Sequence, residues 1–341
     1  MTMLAIACVA CFSSCKKDPS LPADISMTAM PTEEIVHYTD AIISGAISFS
    51  GNTEKYVSSL KESLSVIVEL EIKNTGERKT YPASLDGVTK EGFKVIIPFV
   101  VNPIDLEDGA TYYYRVYYQF GKDEANVTNP VKFFTLPQGP VDLDLPSGLL
   151  WASHNLGADY PEDSGNYYAW GETEQKKENG VYFWSEYKWC NWHIGDIGYN
   201  YNFTKYCSES FHGNNGFVDN KRVLEPEDDA VVKAMADNWR TPHPYEFTEL
   251  LEECQHTKTS INGTSGVLYR SKKNPDDDKK VIFIPCSGYI DEVKLRYNTS
   301  VVCMTSSISY IDFEAVIWGG EVLGEEYRCY GYPIRPVYVK Q

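Results

Sequence analysis

Carboxylates, an imidazole and a guanidinium are concentrated between Glu225 and Cys254. Acidic side chains beside a histidine are the groups that general acid–base catalysis uses. The same residue types also stabilise helix ends, and their order here fits that role. Pro226 suits the first turn of a helix, and Asp228 and Asp229 place negative charge at the positive end of its dipole. We therefore interpret this stretch as a scaffold of two short helices and not as a catalytic centre.

The second predicted helix follows a sharp turn that begins at Trp239. His243 occupies its N-cap position and Glu246 comes three residues later, which is the spacing of a capping box. A neutral imidazole nitrogen there can accept a helix N–H. A buried stripe is predicted for Phe247, Leu250, Leu251 and Cys254. Structural roles are thus expected for Glu225, Asp228, Asp229, Trp239, Arg240, His243 and Glu246.

Other patterns typical of catalysis or metal binding are weak. The histidines stand singly, and no Gly-rich phosphate loop or Ser/His/Asp order is evident. The run Asp276-Asp277-Asp278 lacks the alternating spacing and the glycine of an EF-hand loop, so a hairpin tip is the better interpretation. We expect a protein that is not an enzyme and that has no metal site and no cofactor.

An aromatic-rich segment from Tyr182 to Tyr206 is the best candidate for ligand binding. Its rings stand among Asn, Gly, Asp and His, a composition suited to stacking on a sugar face or anchoring a protein partner. The alternative is that some of these rings, Trp184, Trp189 and Tyr206, belong to the core. The predicted ligand-binding residues are Trp184, Trp189, Trp192, Tyr199 and Tyr201.

The cysteines fit an exported protein. Three of nine precede Lys16, and six follow, at positions 190, 207, 254, 286, 303 and 329. Several pairings are open, and an oxidising compartment would permit them. Cys190 and Cys207 flank the aromatic segment and are the preferred candidates for a disulfide. Cys254, on the helix stripe, is expected to act as a small hydrophobe.

Length and charge narrow the class of protein. The chain of 341 residues is long enough for two domains, and its hydrophobic fraction of 43% is enough for two cores. The formal charge of −17 argues against nucleic acid as a partner, because phosphate binding needs a basic patch.

The first residues read as a targeting segment. A short apolar run is followed by Phe12-Ser13-Ser14-Cys15 and then by Lys16-Lys17-Asp18. This order resembles a bacterial lipobox, and the residues after Cys15 are similar to those of Bacteroidetes lipoproteins. The resemblance implies a signal peptide over residues 1–14, acylation of Cys15 and a tether over 15–24. It also implies a surface-exposed location on the outer membrane, with the membrane reached through a lipid anchor.

Residues 25–137 show the period-two alternation of β-strands, with strand-like runs at 41–50, 64–72, 93–101, 111–118 and 131–136. Leu106 and Tyr112, with the alternating residues that follow, resemble the tyrosine corner of fibronectin type III domains. The resemblance implies an all-β sandwich in which the Tyr112 phenol bonds back to the backbone and packs on Leu106. A spacer is the expected role of this domain, and direct ligand binding is the alternative.

Residues 138–140 form a linker, and residues 141–341 form a second domain. Asn155-Leu156-Gly157-Ala158, the Tyr168-Ala169-Trp170-Gly171-Glu172 run, the Trp239–Pro242 turn and the closing Tyr330-Gly331-Tyr332-Pro333 occur in an order that resembles the Fibrobacter succinogenes major paralogous domain. The resemblance implies a C-type-lectin-like α+β fold. The Trp239–Pro242 turn with Glu246-Phe247 is also similar to formylglycine-generating enzymes. Their chemistry needs two cysteines close together, whereas Cys303 and Cys329 are far apart in sequence.

Two functions of different class follow from this reading. The first is a surface-anchored, non-catalytic binding module, an adhesin whose lectin-like domain binds a glycan or a cell-surface protein. The second is a structural or accessory subunit of a surface fibre or complex. A formylglycine-generating-type enzyme is a third and weaker alternative.

Overall fold

A computed structural model describes residues 19–53, 57–177, 180–195, 198–235 and 238–340. The predicted signal peptide, and with it Cys15, lies outside the described residues, and so does the side chain of Tyr199. Within the described part of the chain, no helix has both the length and the apolar character needed to cross a membrane.

The first half is built from strands and one short helix, α1 (Val57–Glu62). The strands are β1 (Ile25–Val36), β2 (Ala41–Gly51), β3 (Leu64–Ile72), β4 (Arg78–Pro82), β5 (Ser84–Leu85), β6 (Thr89–Glu91), β7 (Lys94–Val101), β8 (Thr111–Phe120), β9 (Asn126–Val127) and β10 (Val131–Phe134). They form two antiparallel sheets, ordered β1-β2-β7-β5 with β6 on β7, and β10-β8-β3-β4 with β9 on β8.

The two sheets share one hydrophobic core, because alternate residues of each strand point inward. In β3, for example, Val66, Val68 and Leu70 are buried while their neighbours are not. Tyr112 lies at the predicted corner: its phenol oxygen accepts the Glu107 N–H at 2.7 Å, and Leu106 is buried beside it. The predicted bond from this phenol back to the backbone is therefore confirmed.

The second half is also mostly sheet. Its strands are β11 (Pro140–Asp142), β12 (Leu150–Ala152), β13 (His193–Gly195), β14 (Gly198–Asn200), β15 (Trp239–Arg240), β16 (Cys254–Ile261), β17 (Thr264–Ser271), β18 (Val281–Pro285), β19 (Tyr289–Asp291), β20 (Lys294–Arg296), β21 (Cys303–Ile308), β22 (Glu314–Trp318), β23 (Leu323–Tyr327) and β24 (Val337–Tyr338). Its helices are α2 (Ala230–Ala234) and α3 (Pro244–Glu253), with single 3-10 turns at Trp184–Glu186, Asn214–Gly216 and Pro226–Asp228.

One small sheet joins the beginning and the end of this half, in the order β11-β12-β24-β15. The predicted hairpin at its start is present, with Val141 opposite Trp151. Two three-stranded antiparallel sheets, β16-β17-β18 and β21-β22-β23, supply most of the remaining core. The described structure is thus rich in antiparallel sheet throughout, and its second half contains much less helix than an α+β domain was expected to have.

The two halves contact each other directly. Asn262 and Gly263 form the tight turn between β16 and β17, both with positive φ, as an Asn-Gly hairpin turn requires. The Asn262 side chain makes two hydrogen bonds of 2.9 Å to the backbone of Val36, one through each polar atom. Beside it, Tyr38 and Leu136 pack against Phe283 in a shared apolar cluster.

We expect His154 to make this contact sensitive to pH. Its Nδ1 lies 2.9 Å from the Tyr38 hydroxyl, and burial, then the charge of Arg335, lower its pKa from the ordinary 6.5. Because the folded state favours the neutral imidazole, stability is fully present above pH 6.5 and is lost as pH falls through the lowered pKa. We expect His154→Asn to lose less free energy of unfolding than wild type between neutral and mildly acidic pH, measured by urea titration. Equal losses would contradict this role.

Candidate functional site

The acidic residues and the arginine between Glu225 and Cys254 are engaged in helix capping, hydrogen bonds and ion pairs within the fold. Asp229 is the N-cap of α2 and accepts the Val231 N–H at 2.8 Å. It also accepts the Thr241 N–H at 2.9 Å and the Thr241 hydroxyl at 2.7 Å, which fixes the turn before α3. The expected helix beginning at Pro226 is in fact one 3-10 turn followed by α2. The structural role predicted for Asp229 is confirmed.

Arg240, His243 and Glu246 form a second internal network. The Arg240 guanidinium donates to both Glu246 carboxylate oxygens, at 2.8 and 2.5 Å, and the His243 N–H donates to Glu246 Oε2 at 2.7 Å. The imidazole Nδ1 lies 2.6 Å from the Ser306 hydroxyl. Burial, followed by the charge of Arg240, lowers the pKa of His243 and favours its neutral form. This arrangement orients α3, and Trp239 extends it by pairing with Tyr338 across β15 and β24.

Asp228 and Glu225 form ion pairs with Lys205. The Lys205 Nζ lies 2.5 Å from Asp228 Oδ2 and 2.6 Å from Glu225 Oε2, and the Tyr206 hydroxyl donates to Asp228 at 2.7 Å. Lys205 and Lys221 lower the pKa of Glu225 to about 2. Oxygens of Glu225, Glu227 and Asp228 lie within 4.8 Å of one another, close enough for a metal ion. The ammonium of Lys205 already supplies positive charge among them, so the geometry is that of an ion-pair network.

The predicted disulfide between Cys190 and Cys207 is wrong. Both thiols are free, as are the other four cysteines of the described chain. The Cys207 thiol instead contacts the Glu209 carbonyl at 3.3 Å and the Asp312 carboxylate at 3.6 Å. Burial, then the charge of Asp312, raises the pKa of Cys207 to about 12, so the thiol stays protonated. Cys303 and Cys329 lie in different apolar clusters, and they are not bonded to each other either.

Peptide mapping tests the free thiols. Digestion under non-reducing conditions, after blocking thiols in denaturant, should give separate, alkylated peptides that contain Cys190 and Cys207. This is expected because both thiols are free and buried, and burial raises the pKa of each so that it stays protonated. A disulfide-linked pair of these peptides in the mass spectrum would show that Cys190 and Cys207 are bonded and would contradict the free thiols.

Most of the aromatic segment is core. Trp184 is only 2% exposed, and its ring packs edge-on against Tyr187, Tyr201 and Phe203. A ligand therefore cannot reach Trp184, and its predicted role in binding is wrong. The alternative role, in the core, is confirmed for Trp184 and for Tyr206, which is fully buried.

Trp189 and Trp192 are half-buried. The Trp189 Nε1–H donates to the Gly171 carbonyl at 2.7 Å, and the Lys188 and Lys205 ammonium groups lie 4.1 and 5.3 Å from its ring centroid. Trp192 packs edge-on against Phe183 at 5.3 Å. Each presents only part of a ring to solvent, so neither forms a large stacking surface by itself.

Tyr201 belongs to a larger feature that the sequence did not suggest. Its ring stacks on Phe313 at 5.0 Å, Phe313 lies 6.0 Å from Tyr327, and Tyr327 lies 5.4 Å from Tyr330. Tyr330 stacks on Tyr289 at 5.6 Å, and Tyr289 lies 5.6 Å from Tyr297. We refer to this continuous row as the aromatic strip: Tyr201, Phe313, Tyr327, Tyr330, Tyr289 and Tyr297.

The strip reaches solvent mainly at Tyr297 and Tyr327, and its other four rings pack partly against the core. Tyr297 is 66% exposed and Tyr327 is also exposed, while the other four rings are half-buried. Its members come from β19, β23 and the loops beside β14, β20, β22 and β23. Gly331 is required next to Tyr330, because a Cβ there would lie 2.8 Å from the Tyr182 ring. The Tyr332 hydroxyl donates to the Tyr327 carbonyl at 2.7 Å, which ties the last part of the chain to β23.

Aromatic rings that are partly exposed can bind a ligand by stacking. An aromatic face held in place by packing loses little conformational entropy when it stacks on a flat apolar surface such as the C–H face of a sugar. Hydroxyl groups at the ring edges can hydrogen-bond a hydroxylated ligand. The strip therefore has the features of a recognition surface.

Comparisons with known proteins do not identify a relative. No protein-family model and no curated protein matches the chain. Among solved structures, a purple acid phosphatase, PPD1, from yellow lupin covers 36% of this chain, with 10% identity and a TM-score of 0.22. The cycloalternan-forming enzyme of Listeria monocytogenes covers 86%, with 10% identity and a TM-score of 0.24. In both comparisons this chain spans 20% of the other protein, and likeness at this level supports no conclusion about fold or activity.

Proposed function

We propose that this protein is a non-catalytic binding module that holds a glycan on the aromatic strip. In this proposal residues 25–137 form a fibronectin type III-like spacer, and residues 141–341 form a C-type-lectin-like domain that carries the site. The observation that supports it is the row of six rings in consecutive contact, because extended glycans are held by several stacked rings and not by one.

A non-catalytic role is also supported by the groups that first suggested catalysis, because they are engaged in contacts within the fold. His243 and the carboxylates near it are engaged in capping and ion pairs, and Cys207 is protonated. A general base or a nucleophile must be free to reach a substrate. These residues serve the scaffold instead.

A glycan array tests the proposal. Wild-type protein should bind a defined set of glycans, and Tyr297→Ala should weaken that binding because Tyr297 is the most open ring of the strip. Tyr310→Ala is the matched control, since Tyr310 is 89% exposed and lies outside the strip. Failure of wild-type protein to bind any glycan would contradict the proposal.

A role as an accessory subunit of a surface fibre or complex is the second candidate. The direct contact between the halves favours it, because Asn262 and Val36 fix the spacer against the second domain and would keep an assembly stiff. Loss of glycan binding on the array together with capture of a specific envelope protein would support this candidate over the first.

The proposed anchor is the acylated thiol of Cys15, which would hold the protein on the outer membrane. Because acylation needs that one sulfur atom, Cys15→Ala should abolish incorporation of labelled fatty acid in cells. Cys11→Ala is the matched control and should leave incorporation unchanged. Labelling that persists in Cys15→Ala would assign the anchor to another residue.

A further inference from the structure

A cleft lies between the hairpin of β16 and β17 and two loops, one between β20 and β21 and one between β22 and β23. Its volume of about 450 Å³ is within the range of small-ligand sites in proteins. The described residues that line it include none of the six rings of the aromatic strip. We refer to it as the hydroxyl cleft, because serine and threonine predominate in its lining: Thr259, Ser260, Ser265, Thr299 and Ser300.

One wall of the hydroxyl cleft is a single face of the hairpin. Lys258 is paired with Val267 and Ser260 is paired with Ser265. Residues that are paired across two strands, or two apart along one strand, project from the same face. The distance of 3.3 Å between the Ser260 and Ser265 hydroxyl oxygens agrees with this placement. Val267, which is buried, adds an apolar surface beside the two hydroxyls.

Hydrogen bonds hold the two loops against the sheet. The buried Tyr269 hydroxyl donates to the Gly320 carbonyl at 2.8 Å. The Gly288 N–H donates to the Ser300 carbonyl at 3.2 Å. Gly320 has a φ of +85°, and a Cβ there would lie 3.1 Å from Val301 Cβ, so glycine is needed at this position. The cleft is therefore preformed, which lowers the entropic cost of binding a ligand.

The polar groups of the hydroxyl cleft suit an uncharged ligand. Lys258 Nζ lies 2.7 Å from Glu321 Oε1, so the two charged groups of the described lining neutralise each other. The Thr299 and Ser300 hydroxyls have no hydrogen-bond partner in the part of the chain that the structure describes. A serine or threonine hydroxyl can both donate and accept, as each hydroxyl of a sugar also does.

We propose that the hydroxyl cleft binds one uncharged hexopyranose unit. The sugar hydroxyls would exchange hydrogen bonds with the serine and threonine side chains, and a C–H face of the ring would lie against Val267 and Val301. A nucleoside fits less well, because no aromatic ring of the described chain lines the cleft and could stack on the base. The site is separate from the aromatic strip, so the inference goes beyond the proposed function and does not rest on it.

Cys286 provides a reporter inside the hydroxyl cleft. It lines the cleft and is half-buried, whereas the other five cysteines of the described chain are buried. Burial raises the pKa of its thiol, and the thiolate is the reactive form, so alkylation by iodoacetamide is followed in mildly alkaline buffer.

The full chain is alkylated with and without the methyl glycosides of glucose, galactose and mannose, and the labelled Cys286 peptide is quantified by mass spectrometry. A single sugar unit is expected to bind with a dissociation constant on the order of 1 mM. At about 10 mM, at least one of the three glycosides should therefore slow alkylation of Cys286 roughly tenfold, because the bound sugar covers the thiol.

Variants of the lining separate binding from a general effect of sugar on the protein. Ser260→Ala combined with Ser300→Ala should reduce the protection severalfold, because hydroxyl partners are lost on two sides of the cleft. The rate without sugar should equal that of wild type. Thr257→Ala is the matched control and should leave the protection unchanged, because Thr257 is exposed on β16 but projects from the opposite face to Ser260.

Protection of Cys286 by none of the three glycosides, or equal protection in the double variant, would overturn the inference. Stronger protection by glucuronate, glucosamine or adenosine than by every neutral glycoside would overturn the assigned class of ligand. A protein that binds no glycan on the array, but in which a glycoside protects Cys286, would keep this site and lose the proposed function. Array binding that depends on Tyr297 without any protection of Cys286 would have the reverse meaning.

Discussion

Replacing Tyr289 and Tyr330 together by alanine is expected to weaken glycan binding by on the order of 1000-fold, because each central ring of a recognition surface contributes roughly 2 kcal/mol. These two rings stack on each other at 5.6 Å and occupy the middle of the strip. Their removal separates Tyr297 at one end from Tyr327, Phe313 and Tyr201 at the other. Calorimetry with the tightest glycan from the array gives the affinity.

Conservative variants separate stacking from loss of fold. Replacing the same two tyrosines by phenylalanine keeps both rings and should cost less than tenfold in affinity if stacking dominates. Unfolding curves of the alanine variant must show that it is still folded at the temperature of the titration. Unchanged affinity in the folded alanine variant would remove the strip from the binding surface.

Replacing Lys205 by methionine is expected to lower the free energy of unfolding by about 3 kcal/mol, the lower end of the usual cost of removing one partner of a buried ion pair. Asp228 is 3% exposed and receives the Lys205 ammonium at 2.5 Å. Without it, Asp228 keeps the Tyr206 hydroxyl and, at 3.6 Å, the Lys188 ammonium. Urea titration measures the change.

Lys221→Met is the matched control for this variant. Lys221 contacts Glu225 at 2.6 Å, but the pair lies at the surface, where such pairs contribute about 0–1 kcal/mol. A loss in Lys205→Met no larger than the loss in Lys221→Met would mean that Asp228 does not depend on the lysine. The network of Glu225, Asp228 and Lys205 would then be peripheral to the fold.

Strand positions in the first half could be predicted because one face of each strand is buried. Leu64–Ile72 alternates strictly, and the predicted and observed bounds agree. β1 was missed, because Ile25–Val36 contains Pro31 and two glutamates, which argue against an interior strand. The structure accommodates them: β1 is an edge strand that pairs only with β2 among the described strands, and its register shifts between Pro31 and Glu33.

The candidate site could be predicted only in part. Local rules were sufficient for the capping bonds of Asp229 and Glu246, whose partners, the N–H groups of Val231 and His243, lie within three residues. They were insufficient for Trp184, whose burial depends on packing against Tyr327, far away in sequence. They also could not reveal the strip, because its rings come from separate segments that only the tertiary fold brings together. The composition of the segment from Tyr182 to Tyr206 indicated Tyr201 as a candidate, but it could not indicate the other rings of the aromatic strip, which lie in other segments.

Hydrogen–deuterium exchange with and without a saturating glycan tests the central claim most directly. Bound glycan should slow exchange in the peptides that carry the strip, those covering 288–298 and 323–332, because ligand contacts there stabilise the hairpin and the edge strand against opening. Peptides from 64–72 and 111–120 in the first half should be unchanged. Protection confined to the first half, or absent from both strip segments while the glycan is bound, would contradict the account.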